Sequence, residues 1–213
     1  MISVDTISYI CFDFDGVILD TLKLKEDGFV HVYQEIDTAD EQIIRDYHRN
    51  NGGIPRNEKF KFFDNHFLNT TPDQQRLDLL SLKLSKYIMA KIESCPFIAG
   101  FTSILAQFQN KGMPVSIASA MPETELHQII NLKGIASSFI YAYGSPRLKS
   151  DQIKDIDKNL RKTKKGLYFG DTMSDYVAAT KSGLDFIGIG TSTSFVTNKI
   201  PFIKDFTELI IKR

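Results

Sequence analysis

The stretch YICFDFDGVILDT, Tyr9 to Thr21, decides how the rest of the chain reads. Its first half is the apolar, β-rich run of a strand that packs on both faces. The run ends on Asp13, a second carboxylate follows at Asp15, and Gly16 opens a turn. Two negative charges where a buried strand emerges cost free energy unless a cation or a reaction occupies them. The stretch therefore reads as a strand that delivers two acids to a site.

Similar runs recur after position 110: VSIASA (115–120), FIYAYG (139–144), GLYFGD (166–171) and FIGIG (186–190). Helical patterns alternate with them, which predicts an α/β fold with a Rossmann-like, doubly wound parallel sheet. One helix runs from Pro122 to Gly134, a second takes Ser150 as its cap, and a third lies between GDTM and Gly183. The basic stretch RKTKKG (161–166) fits the end of the second helix and its turn.

From Leu22 to Lys91 the strand signal is absent and the pattern is helical. One helix there reads as capped by Thr38 with Glu41 as a capping box, another by Thr71 with Pro72 at its first position. Roughly 70 residues of helix are too many for an ordinary crossover. The expected division is a core of 1–20 and 93–213, with a separate helical domain of 21–92.

Lys plus Arg equal Asp plus Glu at 26 each in 213 residues, so no overall field favours nucleic acid or an anionic membrane. Any phosphate-binding charge is local. Cys11 and Cys95 form neither a metal spacing nor a disulfide framework, which fits a reducing compartment. The N-terminal MISVDTISYICFDFDG lacks a basic region and a cleavage site, and no apolar run approaches the ~18 residues of a membrane helix. A cytoplasmic protein is expected, a monomer or weak homodimer.

In parallel sheets, ligands sit at the carboxyl ends of strands. The unusual polar residues fall there: Asp13 and Asp15, then Ser119, then Lys149 in the next loop, then Asp171 and Asp175. Converging carboxylates and oxygen ligands suit Mg²⁺.

With DFDGV (13–17), IASA (117–120), GSPRLKSD (144–151) and GDTMSD (170–175) in order, the chain resembles the haloacid dehalogenase superfamily. The likeness is to its capped phosphoglycolate phosphatase and β-phosphoglucomutase-like members, with the helical insertion as the cap. The resemblance implies Asp13 as the nucleophile and Asp15 as general acid and base. It implies Ser119 and the Ala120 N–H as phosphoryl-binding groups, and Lys149 as the neutralising cation. Asp13, the Asp15 backbone carbonyl and Asp171 would hold Mg²⁺ directly, with Asp175 behind them or joined to the metal through water. Asp15 separates phosphoryl transfer from dehalogenation, because a halide needs no proton.

Many relatives carry a lysine directly after the third-motif glycine, where this chain has Ser145. Arg147 and Lys149 are the candidates, and Lys149 matches the variant in which the later lysine reaches the site. In HRNNGGIPRNEKF (48–60), Arg56 is the candidate contact for a substrate phosphate, carboxylate or hydroxyl. The competing reading has Gly52 and Gly53 ending a helix and Arg56 and Lys59 in solvent. His48 and Arg49 read as surface residues, and His31, His66 and His127 as structural or surface ones. The implied function is a Mg²⁺-dependent phosphatase acting on a small phosphorylated metabolite; a phosphomutase and a non-catalytic binding protein are the alternatives.

Overall fold

The computed structural model describes residues 2–3, 6–161 and 163–212; Met1, Val4 and Asp5 of the N-terminal stretch and Lys162 of the basic turn lie outside it. The chain divides into two compact units, one of Met1–Asp20 with Pro96–Arg213 and the other of Thr21–Cys95. In chain order, β1 (Ile2–Ser3) and β2 (Ile7–Phe12) lead into four helices, α1 (Leu22–Tyr33), α2 (Glu41–Asn50), α3 (Arg56–Leu68) and α4 (Gln74–Met89). The return begins with α5 (Phe101–Asn110), β3 (Val115–Pro122), α6 (Glu123–Leu132), β4 (Tyr141–Ser145) and α7 (Lys149–Leu160). It ends with β5 (Lys165–Gly170), α8 (Met173–Lys181), β6 (Asp185–Ile189), α9 (Thr193–Thr197), β7 (Phe202–Ile203) and β8 (Ile211–Lys212).

The first unit is an α/β sheet of order β4-β3-β2-β5-β6-β7 in which every pairing is parallel. From β2 the chain winds outward through β3 and β4, then returns to the other side of β2 and winds through β5, β6 and β7. The crevice where the winding reverses lies at the carboxyl end of β2, between β3 and β5, and such crevices take ligands. A separate parallel pair joins β1 to β8.

Side chains alternate across β2. Tyr9 and Cys11 share a core with Tyr168, Ile153, Ile156 and Phe195. Phe12 points the other way, stacked on Phe169 at 5.1 Å and edge-on to Phe101 and Phe206. Both faces are covered, so the strand reads as a near-continuous apolar run. Each fully buried Phe contributes roughly 1.5–3 kcal/mol of transfer free energy.

The second unit packs α1–α4 around Phe29, Tyr33, Phe60 and Phe63, all buried. Gly28 permits close approach of α1 and α4, since a Cβ there would lie 2.7 Å from Leu84 Cδ1. Asp64, fully buried, accepts hydrogen bonds from Tyr33 Oη at 2.8 Å and from the Arg76 guanidinium. This ties α1, α3 and the first turn of α4 through one carboxylate.

The helix starts differ from expectation by small offsets. Asp40, not Thr38, caps α2, accepting from Gln42 N and Ile43 N, while Thr38 Oγ1 donates to Phe67 O near the end of α3. Asp73, not Thr71, caps α4 through Arg76 N, so Pro72 precedes the cap. The first turn of α7 already contains Ser150, and Leu148 flanks it without a side-chain cap bond. His48 is buried rather than on the surface, because it stands one turn beyond Ile44 on the inward face of α2. Its Nδ1 accepts from Lys59 Nζ at 2.9 Å, and its ring packs on Phe29. Lys59 is therefore also buried, and Arg49 holds Glu26 with two bonds of 2.8 Å.

Candidate active site

The end of β2 turns sharply. Gly16 takes φ +73°, which favours glycine, and its N–H donates to Leu19 O. Asp13 N donates to Phe169 O at 2.8 Å, so the first residue beyond β2 stays bonded to β5. Its side chain is buried, while Asp15 on the turn is half-buried.

Asp171 follows β5 directly and Asp175 enters from the first turn of α8. Thr172 and Asp175 form the capping box of that helix: Thr172 Oγ1 accepts from Asp175 N, and Asp175 Oδ2 accepts from Thr172 N. Gly170 makes room, because a Cβ there would lie 2.4 Å from Asp175 Cβ.

Lys149 opens α7 and reaches across the crevice. Its Nζ donates to Asp13 Oδ1 at 2.9 Å and to Asp175 Oδ1 at 2.5 Å. Asp13, Asp171 and Asp175 each place a carboxylate oxygen within 4.8 Å of the others. Burial, then repulsion from Asp175 and Asp15, pushes the Asp13 carboxyl up to about 7 against the opposing pull of Lys149. Burial and the carboxylates of Asp175 and Asp13 likewise raise Asp171 well above the usual range. Burial opposes the charge of Lys149, but Asp13 and Asp175 outweigh it and hold the ammonium protonated.

Arg147 lies elsewhere. It is exposed, pairs with Asp155 at 3.4 Å and stands over the Tyr143 ring. The structure thus brings Lys149, and not Arg147, onto Asp13.

Ser119 sits inside β3 rather than beyond it. The ladder to β2 ends at Ile117 and the register with β4 breaks between Ala118 and Pro122. Ser119 Oγ is buried there and accepts from Met121 N at 3.1 Å, which leaves its own proton to donate. Ala120 follows, half-buried. Arg56 opens α3 in the helical unit, where its Nη1 donates to Ser85 Oγ at 2.7 Å. His31, His66 and His127 are exposed.

Three residues absent from the sequence reading support the site. Tyr168 Oη donates to Ala118 O at 2.8 Å and approaches Asp175 Oδ1. Gln152 Nε2 donates to Ser119 O at 3.0 Å and to Arg147 O at 2.8 Å. Thr172 donates its hydroxyl to Asp175 Oδ2 at 2.5 Å. Of these only Thr172 carried a sequence signal, the Thr-x-x-Asp spacing of a capping box.

The donor set suits a hard divalent cation. It is all oxygen, it is crowded with like charge, and among the described residues the ammonium of Lys149 is the one cation that bonds these carboxylates, which leaves that charge undercompensated. Asp175 is engaged on both oxygens by Lys149, Tyr168 and Thr172, so Asp13 and Asp171 are the carboxylates better placed to take a cation directly.

A profile of the haloacid dehalogenase-like hydrolases matches residues 10–189. No curated protein matches the chain. Among solved structures, β-phosphoglucomutase from Clostridium difficile is 16% identical with TM-score 0.78, covering 96% of this chain and 93% of its own. CbbY from Rhodobacter sphaeroides, in complex with phosphate, is 16% identical with TM-score 0.78, covering 96% and 97%. A predicted phosphoglycolate phosphatase from Haemophilus somnus is 14% identical with TM-score 0.74, covering 95% and 96%. At these identities the likeness is one of fold.

Proposed function

The chain belongs to the haloacid dehalogenase-like hydrolase family, and from that premise we propose that it is a Mg²⁺-dependent phosphatase of a small phosphorylated metabolite, of the sugar phosphate class. The observation that carries the reading is Lys149 held between Asp13 and Asp175, with Asp171 beside them, at the carboxyl ends of β2 and β5.

Asp13 is the nucleophile. Its carboxylate oxygen bonds to phosphorus as the bond from phosphorus to the leaving oxygen breaks, and Asp15 gives that oxygen a proton. Asp15 then takes a proton from water, whose oxygen bonds to phosphorus as the aspartyl ester to Asp13 breaks. Inorganic phosphate leaves and both acids return to their starting states. The Ser119 hydroxyl and the Ala120 N–H hold phosphoryl oxygens, and Lys149 offsets charge on Asp13 and the transferring group. Asp13, Asp171 and the Asp15 backbone carbonyl, supported by Asp175, would hold Mg²⁺, which when bound neutralises further charge on the phosphoryl oxygens. The helical unit serves as a cap that excludes bulk water and reads the substrate, with Arg56 as its contact.

Likeness to a β-phosphoglucomutase favours a second reading, in which the phosphoryl group on Asp13 passes to a second sugar hydroxyl instead of water. Phosphate release from a panel of phosphorylated metabolites with Mg²⁺ separates the two. Free phosphate from sugar monophosphates supports hydrolysis; isomerised sugar dependent on a bisphosphate primer supports the mutase. In either case Asp13→Asn is expected to abolish turnover while circular dichroism and thermal stability persist. Undiminished turnover in that variant would falsify the mechanism.

A further inference from the structure

The geometry points to Gln152 as a positioning residue for the phosphoryl-binding peptide, tying it to the loop that carries Lys149; the inference rests on the phosphatase reading above. Between Ala118 and Pro122 neither neighbouring strand pairs with β3, so the sheet does not orient the Ser119–Ala120 peptide. A side chain does so. Gln152 Nε2 donates one hydrogen to Ser119 O at 3.0 Å and the other to Arg147 O at 2.8 Å.

A peptide group is planar and trans, so its N–H points opposite to its C=O. Holding the Ser119 carbonyl on Gln152 fixes the direction of the Ala120 N–H, the donor assigned to a phosphoryl oxygen. The second hydrogen holds the backbone two residues before Lys149. One amide therefore sets the separation between an N–H donor from β3 and an ammonium from α7, two groups that must meet the same transferring phosphoryl group. The preceding peptide is held in the same manner, since Tyr168 Oη donates to Ala118 O at 2.8 Å.

The requirement at Gln152 is for two hydrogens. The residue is fully buried, and its Oε1 has no hydrogen-bond partner among the described residues. Exchanging nitrogen and oxygen would set Oε1 against two carbonyl oxygens, so the partners decide the orientation of the amide. Glutamate would fill the same volume but present an acceptor to two acceptors. Methionine matches the length and removes both donors.

The test compares Gln152→Met and Gln152→Leu with the parent chain, using p-nitrophenyl phosphate hydrolysis with Mg²⁺ and the backbone amide resonances of Ser119 and Ala120 on addition of inorganic phosphate. Misaligning one such donor is expected to lower kcat by about 10- to 100-fold, less than the ~10²–10³-fold for deleting an oxyanion donor outright, with KM changing by less than about threefold. The phosphate response of the Ala120 amide is expected to vanish. Folded variants that keep kcat within about twofold and keep that response reduce Gln152 to a packing role. A parent that hydrolyses the ester but shows no response at Ala120 overturns this inference alone; a parent with neither overturns the phosphatase reading as well. Should the Gln152 variants fail to fold, Tyr168→Phe keeps the ring against Phe186 and removes only the hydroxyl on Ala118 O. It is expected to lower kcat with KM nearly unchanged, and an unaltered kcat there counts against positioning by these side chains.

Discussion

Replacing Lys149 by methionine keeps the side chain's reach and removes its charge. The ammonium lies 2.9 Å from Asp13 and 2.5 Å from Asp175, and the three side chains are 9%, 6% and 0% exposed, so solvent screens little of the interaction. Without it, Asp13, Asp171 and Asp175 face one another within 4.8 Å and lose the ammonium that bonds Asp13 and Asp175. Breaking a buried pair by removing one partner costs about 3–5 kcal/mol. For a chain of this size that corresponds to a fall in Tm of roughly 6–20 °C. The assay is thermal and urea unfolding in a chelator, repeated with added Mg²⁺. The deficit should shrink with the cation, because ligand that binds only the folded state adds stability by mass action. Arg147→Ala is the control: its pair with Asp155 is 43% and 37% exposed, and such surface pairs contribute ~0–1 kcal/mol. Turnover should fall by about 10²–10³ for Lys149→Met and stay near the parent's for Arg147→Ala. A Lys149→Met midpoint matching the parent's in chelator would show that Lys149 does not hold the cluster together, and a turnover loss no greater than that of Arg147→Ala would show that it does not serve the reaction.

Two further outcomes follow from the packing. Burial, then Lys59, Lys25 and Arg49, push His48 down to about 2, whereas an unfolded histidine titrates near ~6.5. Below that value the unfolded chain binds a proton that the folded chain refuses, so stability falls with pH through this window, by about 2 kcal/mol at pH 5 relative to neutral pH. His48→Gln, which can still accept from Lys59, should flatten the pH dependence of the urea midpoint between about pH 6.5 and 5, and an unchanged slope removes His48 as its source. Gly170→Ala places a methyl 2.4 Å from Asp175 Cβ and 2.7 Å from its Cγ. Overpacking of this kind costs about 1–3 kcal/mol, and the displaced carboxylate should lower kcat by at least about tenfold. Full turnover with a normal Tm would mean that Asp175 tolerates the shift.

Strand order along the chain and the acids at the strand ends were legible because each is written in a few adjacent residues. An apolar run followed by Asp13 or Asp171 signals a strand end whatever lies around it. The two-residue strands β1, β7 and β8 are too short to carry a period, and their pairing depends on distant backbone. Helix caps were legible to within a few residues: Thr38 and Asp40, or Thr71 and Asp73, are chemically equivalent choices, and which one meets the helix N–H groups depends on where the preceding turn is held.

Composition and motif order were enough to specify an α/β sheet, a helical insertion and a cluster of carboxylates at the ends of its strands, since these rest on local periodicity and on the cost of unpaired charge. Tertiary structure alone decided which cation meets them. Lys149 and Arg147 are two residues apart and carry the same charge, yet only the first reaches Asp13, 136 positions away. The burial of His48, the neutral bridge of Gln152 to Ser119 and the hydroxyl of Tyr168 on Ala118 were decided in the same manner. In each, the partner lies on another element, and a side chain's direction becomes defined only once helix and sheet are packed.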